Sequence, residues 1–525
     1  VYDLPVKTII KPSEYHDSVS LMLVAQELAR LPGVADAAVV MATEANKAIL
    51  KEASLLTPEA AAASPNDLVI AIHAADSALA QAVAAVEELL QRKQAQAETA
   101  EFRPKTLRGA LKANPAANLA VISVAGRYAA DEAWKALHQG LHVLLFSDNV
   151  SLADEIALKR YASEHGLLLM GPGAGTAILN GVALGFANAI PDGPVGIVSA
   201  AGTGLQEVST LLAKQGVGIT QGIGTGGRDL SEDVGGIMML AGLKALQDDP
   251  ATRVILLVSK PPAASIAQNV LARVALSDKP TIVCFLGGEL QQAGVGAGQR
   301  QASNVYSART LEEAAWLGAS LAKSGKPEKL ASKDDLEAQA NELRVRLAPG
   351  QRYLRGLFSG GTLCYEAQVI WRDMLAEPVL SNAPLSKAHQ LPDSTHSQGH
   401  TAVDLGEEEF TVGRLHPMMD NALRIRRLLQ EARDPEVAVI LLDVVIGYGA
   451  HPDPAAELGP AVQRARLLAQ EAGRELLVVA SVTGTEQDPQ SLSRQVQALQ
   501  AARVVVCASN AAAARLVARI VGGRP

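Results

Sequence analysis

Cysteine is nearly absent from the 525-residue chain: Cys284, Cys364 and Cys507 are all there is. Three widely separated thiols give neither a disulfide framework nor a metal-ligand spacing, so a reducing cytoplasm is the expected home and no metal site is expected. Aromatic residues are scarce too, at 3%, so the 48% hydrophobic share rests mainly on Ala, Val, Leu and Ile. Positive charge is in deficit. Lys and Arg number 47 against 55 Asp and Glu, and the net charge of −8 argues against a general nucleic-acid binder. No apolar run reaches membrane-spanning length and the first residues lack a signal-peptide pattern, so no membrane partner is expected. A Walker-type phosphate loop is missing as well, because no Gly-Lys-Ser/Thr follows either Gly-Thr turn of the chain.

Glycine, in contrast, is abundant, with 44 residues. With the aliphatic bias it suits repeated βα units joined by Gly-rich turns. The length is too great for one core and implies three or four domains. Two short stretches organise the rest. The first runs from Val198 through Ser199, Gly202, Thr203 and Gly204 to Glu207. The second runs from Phe358 through Ser359, Gly360, Gly361 and Thr362 to Glu366. Each leads into helical spacing: Leu205, Val208, Leu211 and Leu212 in one, Leu363, Ala367, Ile370 and Trp371 in the other. In both, a Glu stands four residues after the Thr of a Gly-Thr pair. The pattern predicts strand, tight turn and helix. Such a turn leaves unpaired N–H groups pointing outward, backed by the helix dipole, and suits phosphate or carboxylate. One copy would read as an ordinary capped strand-to-helix turn. Two copies in one chain make an anion site at least as good a reading.

Residues 1–110 read as a small α/β domain, with strands at 7–11, 37–41 and 68–72 and helices at 18–30 and 77–93. Glu44, Asn46 and Lys47 follow a strand end and read as a solvated helix start, with a pocket lining as the alternative. Residues 91–104 are polar and charged, and read as a linker. From 111 to 193 the order strand, helix, strand, helix, strand predicts a parallel, Rossmann-like sheet. A nucleotide or CoA would bind at the C-terminal ends of its strands, yet the first turn has Gly126 as its lone glycine, so the dinucleotide fingerprint is absent. Residues 194–330 hold the first Gly-Thr turn and a second Gly-rich loop with Gly226, Gly227 and Arg228. Arg228 reads as an anion clamp or as a surface Arg paired with Asp229. Lys260 follows a strand and so falls at the ligand end of such a sheet. Residues 331–350 form a charged connector. Residues 351–525 repeat the third unit. Gly227-Arg228 recurs as Gly413-Arg414, Asp249-Pro250 as Asp434-Pro435, and Val254 to Leu257 as Val439 to Leu442. The smaller offset between the Gly-Thr turns places extra residues at 380–400, which read as loop.

The second and third units together resemble the α-subunit of succinyl-CoA synthetase and related NDP-forming acyl-CoA synthetases. The resemblance is carried by Met170-Gly171-Pro172-Gly173, Gly196-Ile197-Val198-Ser199, Gly202-Thr203 with Glu207, and Gly222-Ile223-Gly224. In the fourth unit Ser359-Gly360-Gly361-Thr362 with Glu366 carries it. It implies a multidomain α/β protein: a small α/β N-terminal domain, a Rossmann-like domain of the CoA-binding type, and two flavodoxin-like domains of the succinyl-CoA synthetase type. Gly226-Gly227-Arg228-Asp229, Asp404-Leu405-Gly406, Gly413-Arg414, His416-Pro417 and Leu442-Asp443, in that order, are similar to the FdrA family.

In the synthetases, two helix N-termini converge on a phosphorylated histidine, and the two Gly-Thr turns match that pair. The histidine loop should follow a strand at 281–286, but residues 287–298 contain no His, and no ATP-grasp domain is recognisable. A phosphohistidine cycle on this chain alone is therefore not expected. The FdrA resemblance implies a component of oxamate carbamoyltransferase in allantoin and purine breakdown, passing a carbamoyl group between oxalurate and phosphate. Ser199, Gly202, Thr203, Gly204, Ser359, Gly360, Gly361 and Thr362 would then bind phosphate, and Gly226, Gly227 and Lys260 the substrate. Arg228 and Arg414 would clamp phosphate or carboxylate. His416 would give a proton to the leaving nitrogen, or else is a turn residue held by Pro417. His400 and His451 are further candidates. Asp404 and Asp443 read as caps at strand ends, and Cys364, at a helix start that favours a thiolate, reads as packing. Phosphate or carbamoyl phosphate is the expected substrate, and CoA is a second candidate ligand. Partners would be other subunits of a multisubunit enzyme or a second copy. The alternatives are an ADP-forming acyl-CoA synthetase subunit with its nucleotide domain on another chain, and a non-catalytic scaffold that binds CoA or phosphate.

Overall fold

Nine consecutive buried residues form the strand Val437–Val445, apolar throughout except for Asp443. A run of that kind is what a parallel strand covered on both faces requires, and most strands of the chain read the same way. The structure, a computed structural model, describes residues 5–14, 18–53, 55–98, 104–287, 304–328, 336–411 and 414–522. The chain forms two compact units. One is Val1–Ala113 with Glu408–His416; the other is Asn114–Glu407 with Pro417–Pro525.

The first unit is a three-stranded antiparallel sheet in the order Val6–Lys11, Leu68–Ala74, Val34–Met41. Helices Ser18–Ala29 and Asp76–Glu98 bury Leu21, Val24, Leu28, Val86 and Leu90 with Ile70 and Ile72 of the central strand. Glu44 opens a helix, Glu44–Glu52, capped by Thr43, whose side chain accepts from the Asn46 N–H. The linker expected at 91–104 is helix as far as Glu98. Residues 91–98 are polar but hold only good helix formers and no Gly or Pro, so the helix continues through them.

The second unit opens with three parallel strands in chain order, Leu119–Ile122, His142–Leu145 and Leu169–Met170. A seven-stranded sheet follows. Its parallel part has the spatial order Ile219–Gly224, Asp192–Ser199, Val254–Ser259, Thr281–Phe285, Val305–Ser307. An antiparallel hairpin, Thr176–Leu179 and Val182–Gly185, extends its first edge through Gln221 and Gly222. The boundary expected at 194 therefore falls inside this sheet, which begins at Thr176. The second large sheet is all parallel, in the order Val379–Ser381, His400–Asp404, Tyr353–Phe358, Val437–Val445, Leu477–Thr483, Val505–Cys507. The stretch 380–400, read as loop, contributes that edge strand and a short 3-10 turn, Lys387–His389.

Both large sheets have the flavodoxin-like order 2-1-3-4-5 once the added edge strands are set aside. The first strand lies between the second and third, so the chain direction switches at its end, where ligands of open α/β sheets bind. Each Gly-Thr turn sits at that point. One apolar cluster runs through both repeats, taking in Leu205 and Val208 of one turn helix, Leu363 and Trp371 of the other, and Leu311 and Leu516. No helix among the described residues is long and apolar enough to cross a membrane.

Candidate functional site

The strand Asp192–Ser199 turns into the helix Gly202–Lys214, and Tyr353–Phe358 into Gly361–Met374. The two helix starts abut. A Cβ at position 360 would lie 2.8 Å from Thr203 Cγ2, and one at 204 would lie 3.1 Å from Thr362 Cγ2. Each Thr thus fills the space that the missing side chain of the other turn leaves. Gly360 has φ −115, so close approach and not backbone twist calls for glycine there. The first N–H groups of a helix have no acceptor inside it. Those of Gly202, Thr203, Gly361 and Thr362 donate to no described residue.

The turns themselves are tied down differently. At the first, the Ala200 N–H donates to the Val258 carbonyl and the Ala201 N–H to Ser199 Oγ, which in turn donates to the Ala201 carbonyl. At the second, the Asp443 carboxylate accepts from the Ser359 N–H at 2.7 Å, the Gly360 N–H at 2.8 Å and the Ser359 hydroxyl. Asp443 is itself paired with buried Arg424 at 3.0 Å. Burial pushes the Asp443 carboxyl up, against the pull of Arg424 and the turn N–H groups. The phosphate contacts expected of Ser199, Ser359 and Gly360 are therefore corrected: these groups have partners inside the chain. The register explains it, since Leu442 pairs with Leu357 and the next residue, Asp443, faces the turn.

A second carboxylate stands at the start of the second turn helix. Asp404, in register with Phe358, is 2% exposed. Its Oδ1 accepts the Gly406 N–H at 2.9 Å, while Oδ2 accepts from no described residue. A Cβ at position 361 would lie 2.5 Å from that Oδ2 and 3.8 Å from Lys260 Nζ. Burial pushes the Asp404 carboxyl up to about 7, in spite of nearby Lys260. Lys260 follows a strand of the first sheet and crosses to the second turn helix, its Nζ 5.6 Å from the Tyr365 ring centroid. It makes no hydrogen bond or ion pair with a described residue. Cys364 is buried in the same helix, and burial pushes its thiol well above the usual range, so it packs and is not a thiolate.

The shared Glu of the two motifs joins the repeats. Glu207 accepts from the Asn510 N–H at 3.0 Å, at the start of the helix Asn510–Gly522 of the second repeat. Glu366 accepts from the Leu311 N–H at 2.7 Å, at the start of the helix Leu311–Ser324 of the first. The Asn510 amide also donates to Glu366, at 2.8 Å. Each repeat caps the last helix of the other. Sequence reasoning saw the Glu in both motifs but not its partners, which lie far along the chain.

Other expected residues are elsewhere. Arg228 pairs with Glu155 at 2.8 Å and donates to the Val150 carbonyl at 2.8 Å, so its guanidinium is already engaged and is not a free clamp. Nor does it pair with Asp229, which takes Lys159 and the N–H groups of Met238 and Met239. Gly226, with φ +89, packs against the Pro172 carbonyl, and Gly227 is exposed beside it. Arg414 and His416 belong to the compact unit that holds the first 113 residues, not to the unit of the Gly-Thr turns. His400 is buried and accepts the Leu354 N–H, and His451 lies 3.3 Å from Glu457. Gly287, in the turn after the strand Thr281–Phe285, lies against Val369 of the second turn helix. The rest of the expected histidine loop, 288–298, and Gly413 lie outside the described residues.

An Escherichia coli K12 relative, the uncharacterized protein YahF, is 46% identical over 509 residues, which is 97% of each chain. This chain belongs to the YahF family. A CoA-ligase family model matches residues 357–520 of this YahF-family chain, across the second repeat. A model described as AllF, heavy metal-associated domain, matches residues 4–105. That stretch holds no cysteine, and among the described residues no cluster of His, Cys, Asp or Glu could hold a metal ion. The succinate–CoA ligase [ADP-forming] subunit alpha 1 of Archaeoglobus fulgidus is 27% identical over 200 residues, 37% of this chain and 67% of that protein. The solved structure of an acetyl-coenzyme A synthetase from Ca. Korarchaeum cryptofilum, in complex with phosphate and ADP, is 16% identical, covers 77% of this chain and 82% of its own, and has a TM-score of 0.28. That overlay is too loose to bear on the site.

Proposed function

We propose that the chain is a carbamoyl-transferring subunit of the oxamate carbamoyltransferase type, passing a carbamoyl group between oxalurate and phosphate in allantoin and purine breakdown. The observation that carries the reading is the meeting of two helix N-termini, locked through Thr203 on Gly360 and Thr362 on Gly204, with the Lys260 ammonium beside them. Free N–H groups, two helix dipoles and a cation are what a phosphate dianion calls for. Carbamoyl transfer needs little covalent help beyond holding the phosphate and offsetting charge as its oxygen attacks the carbamoyl carbon. Gly202, Thr203, Gly361 and Thr362 would supply the backbone donors, and Lys260 the cation. The similarity to the FdrA family supports the substrate. The lack of a His at 287–298 speaks against a phosphohistidine cycle.

The CoA-ligase match and the likeness to a succinate–CoA ligase subunit favour a second reading, a subunit of an acyl-CoA ligase. One pair of assays separates them. The purified chain, alone and with candidate partner subunits, is given oxalurate with phosphate, and in parallel ATP with CoA. Phosphate-dependent release of oxamate and carbamoyl phosphate is the expected result. Activity confined to the ATP and CoA mixture would replace the transferase reading with the ligase one. Silence in both, with phosphate still bound, would leave a scaffold.

A further inference from the structure

The two repeats share a topology but not the chemistry beside their turns. In the first sheet Ser199 holds the place of Phe358, and the residue in register with it is Gly224. In the second the corresponding residue, in register with Phe358, is Asp404. The fold is therefore built once with a glycine at this position and once with an acid. Asp404 is only 2% exposed, and burying an ionisable carboxyl where a glycine would fit costs stability, so packing does not account for it. Oδ1 is held by the Gly406 N–H, while Oδ2 stands against Gly361, which Lys260 Nζ also approaches without pairing with the carboxyl.

We propose that Asp404 is the proton carrier of the site, its Oδ2 donating to the nitrogen that leaves when phosphate takes the carbamoyl group. The proposal rests on the phosphate-site reading and adds to it the group that makes the leaving nitrogen neutral. A phosphate oxygen forms the bond to the carbamoyl carbon. The bond from that carbon to the amide nitrogen breaks, and its electron pair stays on nitrogen. Nitrogen takes the proton of the Asp404 carboxyl, and the carboxylate then takes the proton that hydrogen phosphate carried in. Protons balance and no further reagent is needed. The charged neighbours make the exchange workable near neutrality. Burial, Glu407 and Asp443 favour the neutral acid, whereas Lys260 and the Gly406 N–H favour the carboxylate, and the balance lies at about 7. An acid poised near the working pH is the most effective donor. Cys364 and Tyr365, also nearby, have their ionisation pushed up by burial and stay neutral in this range.

The test is Asp404→Asn in the full chain, assayed with any partner subunits that the wild type needs. Asn keeps an acceptor for the Gly406 N–H but has no acidic proton to transfer. Phosphate binding, read by titration, is expected to persist. Transfer from oxalurate is expected to fall about 10²–10⁴-fold and to lose the pH limb near 7. A carbamoyl ester whose leaving group departs unprotonated, such as p-nitrophenyl carbamate, is expected to react with phosphate nearly as fast as in the wild type. Asp404→Glu should recover part of the oxalurate rate. Equal losses with both donors would reduce Asp404 to a structural role and overturn the proposal, as would a wild-type rate and pH profile in the Asn variant. A wild type that binds no phosphate would overturn the underlying site and this step with it.

Discussion

A single methyl group separates the two turns. Thr203 Cγ2 lies 2.8 Å from where a Cβ at 360 would stand, with Thr203 Cβ and Oγ1 at 3.0 Å. Gly360→Ala therefore overpacks a buried junction and should cost about 1–3 kcal/mol. Gly204→Ala is the control. Its Cβ meets Thr362 Cγ2 at 3.1 Å, but position 204 is helical, where Ala is favoured over Gly by about 1 kcal/mol. Urea unfolding should show a clear loss for the first variant and a much smaller change for the second. Equal losses would mean that the two turns do not interlock as described. At this scale the sequence was partly legible. The Gly-Thr pairs stood out as turns, and Lys260 as a residue at the ligand end. What the pairs touch was not visible, because a contact between distant residues leaves no spacing to read. Arg228 misled for a related reason: a Gly-rich loop beside an Arg suggests a clamp, and only the fold shows Glu155 already holding it.

Among the elements, the exchange of caps stands out. The helix Leu311–Ser324 starts on Glu366, and Asn510–Gly522 starts on Glu207. Burial pushes the Glu366 carboxyl up to about 7 from a usual 4.5, with neighbouring Glu207 adding to the push and Asn510 opposing it. The sign follows. The folded chain holds this proton more tightly than the unfolded one, so the stabilisation is complete below 4.5 and is lost as pH rises through about 7. Glu366→Gln cannot ionise, so its stability should gain on the wild type from pH 5 to 8, whatever the fixed cost of turning an amide toward Asn510. Urea midpoints at several pH values read this directly, and a constant gap between the two proteins would exclude it. Element types were largely legible in periodicity and apolar runs. The misses have causes. Residues 91–98 are polar and yet helical, and the hairpin at 176–185 joins a sheet whose other strands begin later in the chain.

For the molecule as a whole, the repeat could be expected from recurring strings and the flavodoxin-like domains from the family resemblance, but not that the repeats are sewn together. Spacing along a chain says which residues are alike, not which helix will start on whose carboxylate. Asn510 ties the sewing at its centre, giving its N–H to Glu207 and its amide to Glu366. Removing both acids leaves the N–H groups of Leu311 and Asn510 buried and unpaired, each costing about 1–3 kcal/mol. Because both acids act through Asn510, the two losses should not add. Once either cap is gone, the shared amide can relax, and the second deletion should cost less. A thermodynamic cycle of Glu207→Ala, Glu366→Ala and the double variant, measured by urea unfolding, is therefore expected to show a coupling of about 0.5–3 kcal/mol. Strict additivity would mean that the two caps act independently, and that Asn510 does not couple them.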